Sequence, residues 1–162
     1  MEGIKDFWEF ASFVVTALGL PFAIAFFVWE QRKERNNEED EAYQLLSDAY
    51  NEFLKVVLAN PDLHLRTHEP LENPTGEQNE RMLVIYDMLI SLFERAYLVA
   101  WSENMLPVQA RRWNSWDDYM REWCRREDFF NVLPLLLRGE DPQFQQYIRR
   151  VAEEERGPIL KL

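Results

Sequence analysis

Apolar positions recur three and four residues apart through most of the chain, and no useful length of period-two alternation appears, so helices are expected throughout. The first apolar block is different in kind. From Phe10 to Trp29 there are 20 consecutive residues without a charge, which at about 1.5 Å per residue matches the roughly 30 Å hydrocarbon core of a bilayer. This run predicts one membrane-spanning helix. Trp8 and Trp29 stand at its two ends, where amphipathic rings settle at the headgroup level, and Glu9 and Glu30 close it. A cleaved signal peptide is the main rival reading, but it needs a basic start and an apolar run of about 7 to 15 residues. Here the opening residues are acidic overall, and Phe26 to Trp29 carries the run beyond Ala23-Ile24-Ala25, the stretch that imitates a cleavage site. A buried helix of a soluble protein is the other rival, and the length of the run argues against it.

Inside the run, Ser12, Thr16, Gly19 and Ala23 are spaced four, three and four apart and share one helix face. Small residues on one face let membrane helices approach closely, so this stripe is the candidate association face. Pro21 removes a backbone donor and is expected to bend the helix. Lys5 alone precedes the run, against Arg32, Lys33 and Arg35 after it, which places the C-terminal part in the cytoplasm, with the N-terminus outside. The expected organisation is an anchor over residues 1–35 and a cytoplasmic helical domain over 36–162.

Residues 30 to 40 are densely charged and lack Gly and Pro, so the helix either continues or breaks near Asn36-Asn37. Tyr43, Leu46, Tyr50, Phe53 and Val57 then form a heptad-like seam that ends near Asn60-Pro61. Asp62 to Pro74 reads as a loop. Thr75 with Gln78 fits a capping box, opening a helix to about Trp101. That helix is apolar enough to suggest a second span, but Asp87, Glu94 and Arg95 would each cost roughly 2.5 to 3.5 kcal/mol near a bilayer centre, and a core helix is expected instead. Pro107 suits the first turn of the next helix, whose Trp113, Trp116, Met120 and Trp123 make an aromatic seam. A short apolar helix around Phe129 to Leu137, with Pro134 as its weak point, and a last helix capped by Asp141-Pro142 complete the pattern. The fold class is all-α: one N-terminal transmembrane helix followed by a bundle of about four or five helices.

Charge and composition narrow the partners. The net charge of −11 disfavours broad attraction to nucleic acid or to anionic lipid headgroups. The arginines beside the tryptophan seam resemble a nucleic-acid surface, but Asp117, Asp118, Glu122, Glu127 and Asp128 accompany them and supply i,i+4 partners. Cys124 is the only cysteine, so no intramolecular disulfide or cysteine-rich zinc site is available. His64 and His68 lie four apart in a loop without a clear third ligand, and no metal site or cofactor is expected. Phosphate-loop, zinc-protease and nucleophile-elbow signatures are absent, and no catalytic residue is assigned. The candidate polar site is Asp87, Glu94 and Arg95, which lie near one another on a narrow stripe that an ordinary solvent-facing strip would also produce.

The exit through Trp29-Glu30-Gln31-Arg32, the Tyr43 to Phe53 helix, the Phe93-Glu94-Arg95-Ala96-Tyr97 helix, the Trp113/Trp116 seam and the Phe144 to Ile148 end follow one another over nearly the full chain. In this order of features the chain resembles small bacterial single-pass membrane proteins of uncharacterised function with a cytoplasmic helical domain. The resemblance implies the architecture, located in the inner membrane, and supplies no activity. The leading expectation is a non-enzymatic, membrane-anchored module that self-associates or docks a cytoplasmic protein. The alternatives are an oligomeric effector of bacterial defence type that forms a pore, and an enzyme acting on nucleic acid or a nucleotide through Glu94, Arg95 and the arginine-rich helix.

Overall fold

The computed structural model describes the backbone of residues 2–67 and 69–157, and the side chains from residue 22 onward apart from 36. Among the described residues every regular element is helical. Helix α1 runs Glu2–Ala59 and has no break at Asn36-Asn37, since nothing in that charged stretch removes a backbone donor. It stops where Pro61 forces Asn60 out of helical geometry, and the Asn60 side chain donates to the Val56 carbonyl at 2.8 Å, satisfying one of the helix's last acceptors.

A short 3₁₀ turn, Pro61–Leu63, follows, so the segment expected to be loop throughout opens with one tight turn. Helix α2 spans Gly76–Ala100 and carries the expected capping box: Gln78 N–H donates to Thr75 Oγ1 at 3.2 Å, and Thr75 N–H to Gln78 Oε1 at 3.0 Å. Helix α3 spans Pro107–Cys124, helix α4 Glu127–Leu136, and helix α5 Pro142–Arg156. Pro134 does not break α4. It sits inside the helix, which ends two residues later at Leu136. Asp141 caps α5 by accepting from the N–H groups of Gln143 and Phe144, each at 2.9 Å.

The chain divides into two compact units, residues 1–42 and 43–162. In the first, all described side chains from 22 to 35 are exposed. Trp29 packs against Phe26 at 5.8 Å between ring centroids, and the Lys33 ammonium lies 5.5 Å from the Trp29 ring centroid. Among the described residues no helix is long and apolar enough to cross a membrane. The side chains of residues 10–21 in the uncharged run, and with them Trp8, Ser12, Thr16 and Gly19, lie outside the described ones, while Ala23 is described and exposed.

The second unit buries one continuous core. Tyr50, Phe53 and Val57 enter it from α1, Leu89, Ile90 and Phe93 from α2, Trp116 and Trp123 from α3, Phe129 from α4, and Phe144 and Ile148 from α5. Each such side chain contributes about 1.5 to 3 kcal/mol on burial, so the rings dominate what holds the bundle together. Their arrangement is specific. Tyr50 stacks on Tyr119 at 4.3 Å and meets Trp116 edge-on at 5.8 Å, while Phe53 meets Trp123 edge-on at 5.6 Å. The seam on α1 and the tryptophan seam on α3 therefore face each other.

Candidate functional site

The tryptophans of the α3 seam are structural in placement. Trp113, Trp116 and Trp123 are all buried, and two of their indole N–H groups are satisfied within the core. Trp113 Nε1 donates to the Tyr147 hydroxyl at 3.2 Å, and Trp123 Nε1 to the Tyr50 hydroxyl at 3.5 Å. The Tyr147 hydroxyl in turn donates to Asp117, whose other oxygen accepts from Arg121 Nε at 2.7 Å. Burial, then the bond to Asp117, pushes the Tyr147 hydroxyl pKa well above its usual value, so it stays protonated. Cys124 is fully buried with its thiol pKa pushed up by that burial, which leaves it unreactive.

Asp87 and Glu94 gather with Glu140, and Arg95 does not join them. Glu94 is partly buried and accepts the backbone N–H of Asp141, tying α2 to the start of α5. Glu140 lies beside it, and its carboxyl is pushed up to about 7, first by burial, then by the hydrogen bond and charge of Glu94 and the charge of Asp87. Asp87 and Arg95 are exposed, with no ion pair or hydrogen bond among the described residues. Among the described residues no group of three His, Cys, Asp or Glu side chains is arranged to hold a metal ion. His64 is exposed, and His68 lies outside the described residues.

Three features escape a reading of the sequence. The first is Arg126, which is 2% exposed at the α3–α4 junction. Its Nη1 donates to the His64 carbonyl at 2.9 Å and to the Thr67 carbonyl, while Nε and Nη2 grip Asp128. This guanidinium fastens the 64–67 loop to the bundle, which also buries Leu63 and Leu65. The buried Tyr86 hydroxyl lies against this Arg126–Asp128 pair, and burial pushes its pKa well above the usual value.

The second is a cleft of about 250 Å³ between the end of α2 and α5. Tyr97 and Trp101 stack there at 4.9 Å, and the Arg150 guanidinium lies 5.0 Å from the Tyr147 ring centroid. The i,i+4 spacing of Tyr97 and Trp101 was the signal available for it.

The third is the outer face of α2. Val84, Met88, Leu98 and Val99 are between 43 and 59% exposed. A helix whose inner face is immersed in the core thus presents further apolar side chains outward, among exposed Asp87, Ser91 and Arg95. Such side chains cost solubility and offer a partner a surface to bury.

No protein-family model, curated protein sequence or solved structure matches the chain. The likeness to small bacterial membrane proteins rests on the order of sequence features alone.

Proposed function

We propose that this protein is a membrane-anchored interaction module: residues 10–29 hold it in the inner membrane, and the helical bundle, on the cytoplasmic side, docks protein through the outer face of α2. The observation that carries the docking part is the exposure of Val84, Met88, Leu98 and Val99 on an otherwise core-forming helix. The anchoring part is supported by the 20-residue uncharged run with Trp8 and Trp29 at its ends, and the sidedness by Arg32, Lys33 and Arg35 against Lys5. Ser12, Thr16, Gly19 and Ala23 give the anchor its own association face.

Two measurements on the full-length chain test the two parts. After lysis without detergent and high-speed centrifugation, the chain is expected in the pellet, resistant to alkaline carbonate and released by detergent. Recovery in the supernatant overturns the anchoring. Cross-linking in native membranes is expected to give species heavier than the monomer, and monomer alone with no co-purifying protein overturns the docking.

A further inference from the structure

Resting on the reading that residues 10–29 cross the bilayer, we infer that the corner between α2 and α3 is a second contact with that bilayer, its apolar tip seated among the lipid headgroups. Met105, Leu106, Pro107 and Val108 are consecutive apolar residues, and the last three are exposed, Leu106 by 63% and Val108 by 48%. A run of exposed apolar residues is a liability unless something covers it. Half-buried Trp101 stands at the other end of the same loop, a ring of the kind that settles at the headgroup level.

The place of the corner in the bundle selects the occupant. Helix α3 runs alongside α1 in the same direction: the Arg112 guanidinium lies 5.4 Å from the Tyr43 ring centroid, Trp116 meets Tyr50 at 5.8 Å, and Trp123 meets Phe53 at 5.6 Å. The start of α3, and with it the corner, therefore lies at the end by which α1 enters the bundle. Since α1 is one helix from Glu2 to Ala59, the uncharged run leads along it to that end. Charge sorts the two ends the same way. Between residues 95 and 112 three arginines stand against one carboxylate, while between 58 and 81, where Arg81 bonds Asp62, five carboxylates stand against two arginines. The negative face of a bilayer attracts the first end and repels the second. Glu38 to Glu41 ride on α1 just before Tyr43, so the apolar tip and not net charge drives the contact. Trp29 and Tyr43 are fourteen residues apart, about 21 Å of helix. The contact is therefore made with α1 tilted, and membrane helices tilt by up to about 40°.

The test uses the full-length chain in phosphatidylcholine nanodiscs. Cys124 is buried and is the only native cysteine, so an introduced one carries a polarity-sensitive fluorophore alone. The label at Val108→Cys is expected to emit at shorter wavelength than one at Leu58→Cys, which is 76% exposed at the far end of the bundle. Doxyl-labelled phosphatidylcholine should quench it several-fold more strongly. Adding Leu106→Asp should abolish both effects at Val108→Cys without harming the helix start, because Leu106 is the N-cap of α3 and aspartate is a favoured N-cap. Unchanged thermal unfolding checks that each variant folds.

Equal emission and quenching at the two labels, in a chain that stays in the carbonate-resistant pellet, overturns the corner contact and leaves the anchoring intact. A blue-shifted label at Val108→Cys that lipid does not quench, or one indifferent to Leu106→Asp, also overturns it, the first because protein and not lipid then covers the corner. A chain recovered in the supernatant overturns the anchoring and this contact together.

Discussion

Arg126 closes on Asp128 with both arms of its guanidinium, Nε to Oδ1 at 3.1 Å and Nη2 to Oδ2 at 2.6 Å, two residues along the same chain. The pair caps the corner between α3 and α4, where Asp128 Oδ1 also accepts the Phe129 N–H at 2.9 Å. What makes the corner a fastening is the remaining nitrogen, Nη1, spent on the carbonyls of His64 and Thr67. Breaking a buried pair from one side costs about 3 to 5 kcal/mol, because the surviving polar groups stay desolvated. Arg126→Met is therefore expected to destabilise the folded chain by about that much. Arg126→Lys should fail to rescue it, since an ammonium cannot span a bidentate carboxylate and two carbonyls. Thermal unfolding gives the loss, and limited proteolysis gives its location: cleavage between residues 64 and 74 should accelerate first. An intact loop in Arg126→Met would refute the fastening role.

Tyr147 is the hinge of a second network, accepting from Trp113 and donating to Asp117 through one oxygen. Tyr147→Phe keeps the ring and removes the oxygen. The buried Trp113 indole N–H then loses its partner, a change expected to cost about 1 to 3 kcal/mol. Trp113→Phe together with Tyr147→Phe removes donor and acceptor at once and should cost less than the sum of the single changes. Additive losses in a double-mutant cycle would show that the two groups do not interact.

Glu140 sets a pH dependence with a definite sign. Its carboxyl is raised from 4.5 to about 7 in the fold. Between those values the folded chain holds a proton that the unfolded chain has released, so stability falls as pH rises through the window. The contribution is complete below the unfolded pKa and gone above the folded one. Glu155 runs the opposite way: the bond from Arg125 holds its carboxyl below the usual range, and its contribution fades only as pH drops below that window. Melting temperatures of the full chain at about pH 5 and about pH 8 should therefore differ, the lower pH being the more stable, and Glu140→Gln should flatten the difference. A wild-type profile flat across this range would remove Glu140 as the titrating group.

The parts of this fold that sequence made legible are those settled by near neighbours. Thr75 and Gln78 cap each other across three residues, Asp141 and Pro142 start α5, and the seams on α1 and α3 keep helical spacing long enough to be read directly. Arg126 was not legible because its carbonyl partners lie 59 and 62 residues away, and nothing distinguishes it in sequence from exposed Arg125 beside it. Helical spacing alone puts Glu94 on one stripe with Asp87 and Arg95. The bundle turns Glu94 toward Asp141 across 47 residues and leaves the other two facing outward. Helical spacing tells which residues share a face, but only tertiary packing decides which face is covered.

The anchor admits a test independent of any partner. Leu20 stands near the middle of the uncharged run, ten residues after Phe10. An arginine at a span's centre costs about 2.5 to 3.5 kcal/mol of insertion free energy, and two cost about twice that. Leu18→Arg combined with Leu20→Arg should therefore move full-length chain from the carbonate-resistant pellet into the wash, while Glu30→Gln at the boundary should leave it there. The bundle is the control, because a released chain that keeps its thermal transition has lost its anchor and not its fold. If the double arginine variant pellets like the parent after carbonate, residues 10–29 do not cross the bilayer, and the 20-residue run needs another explanation.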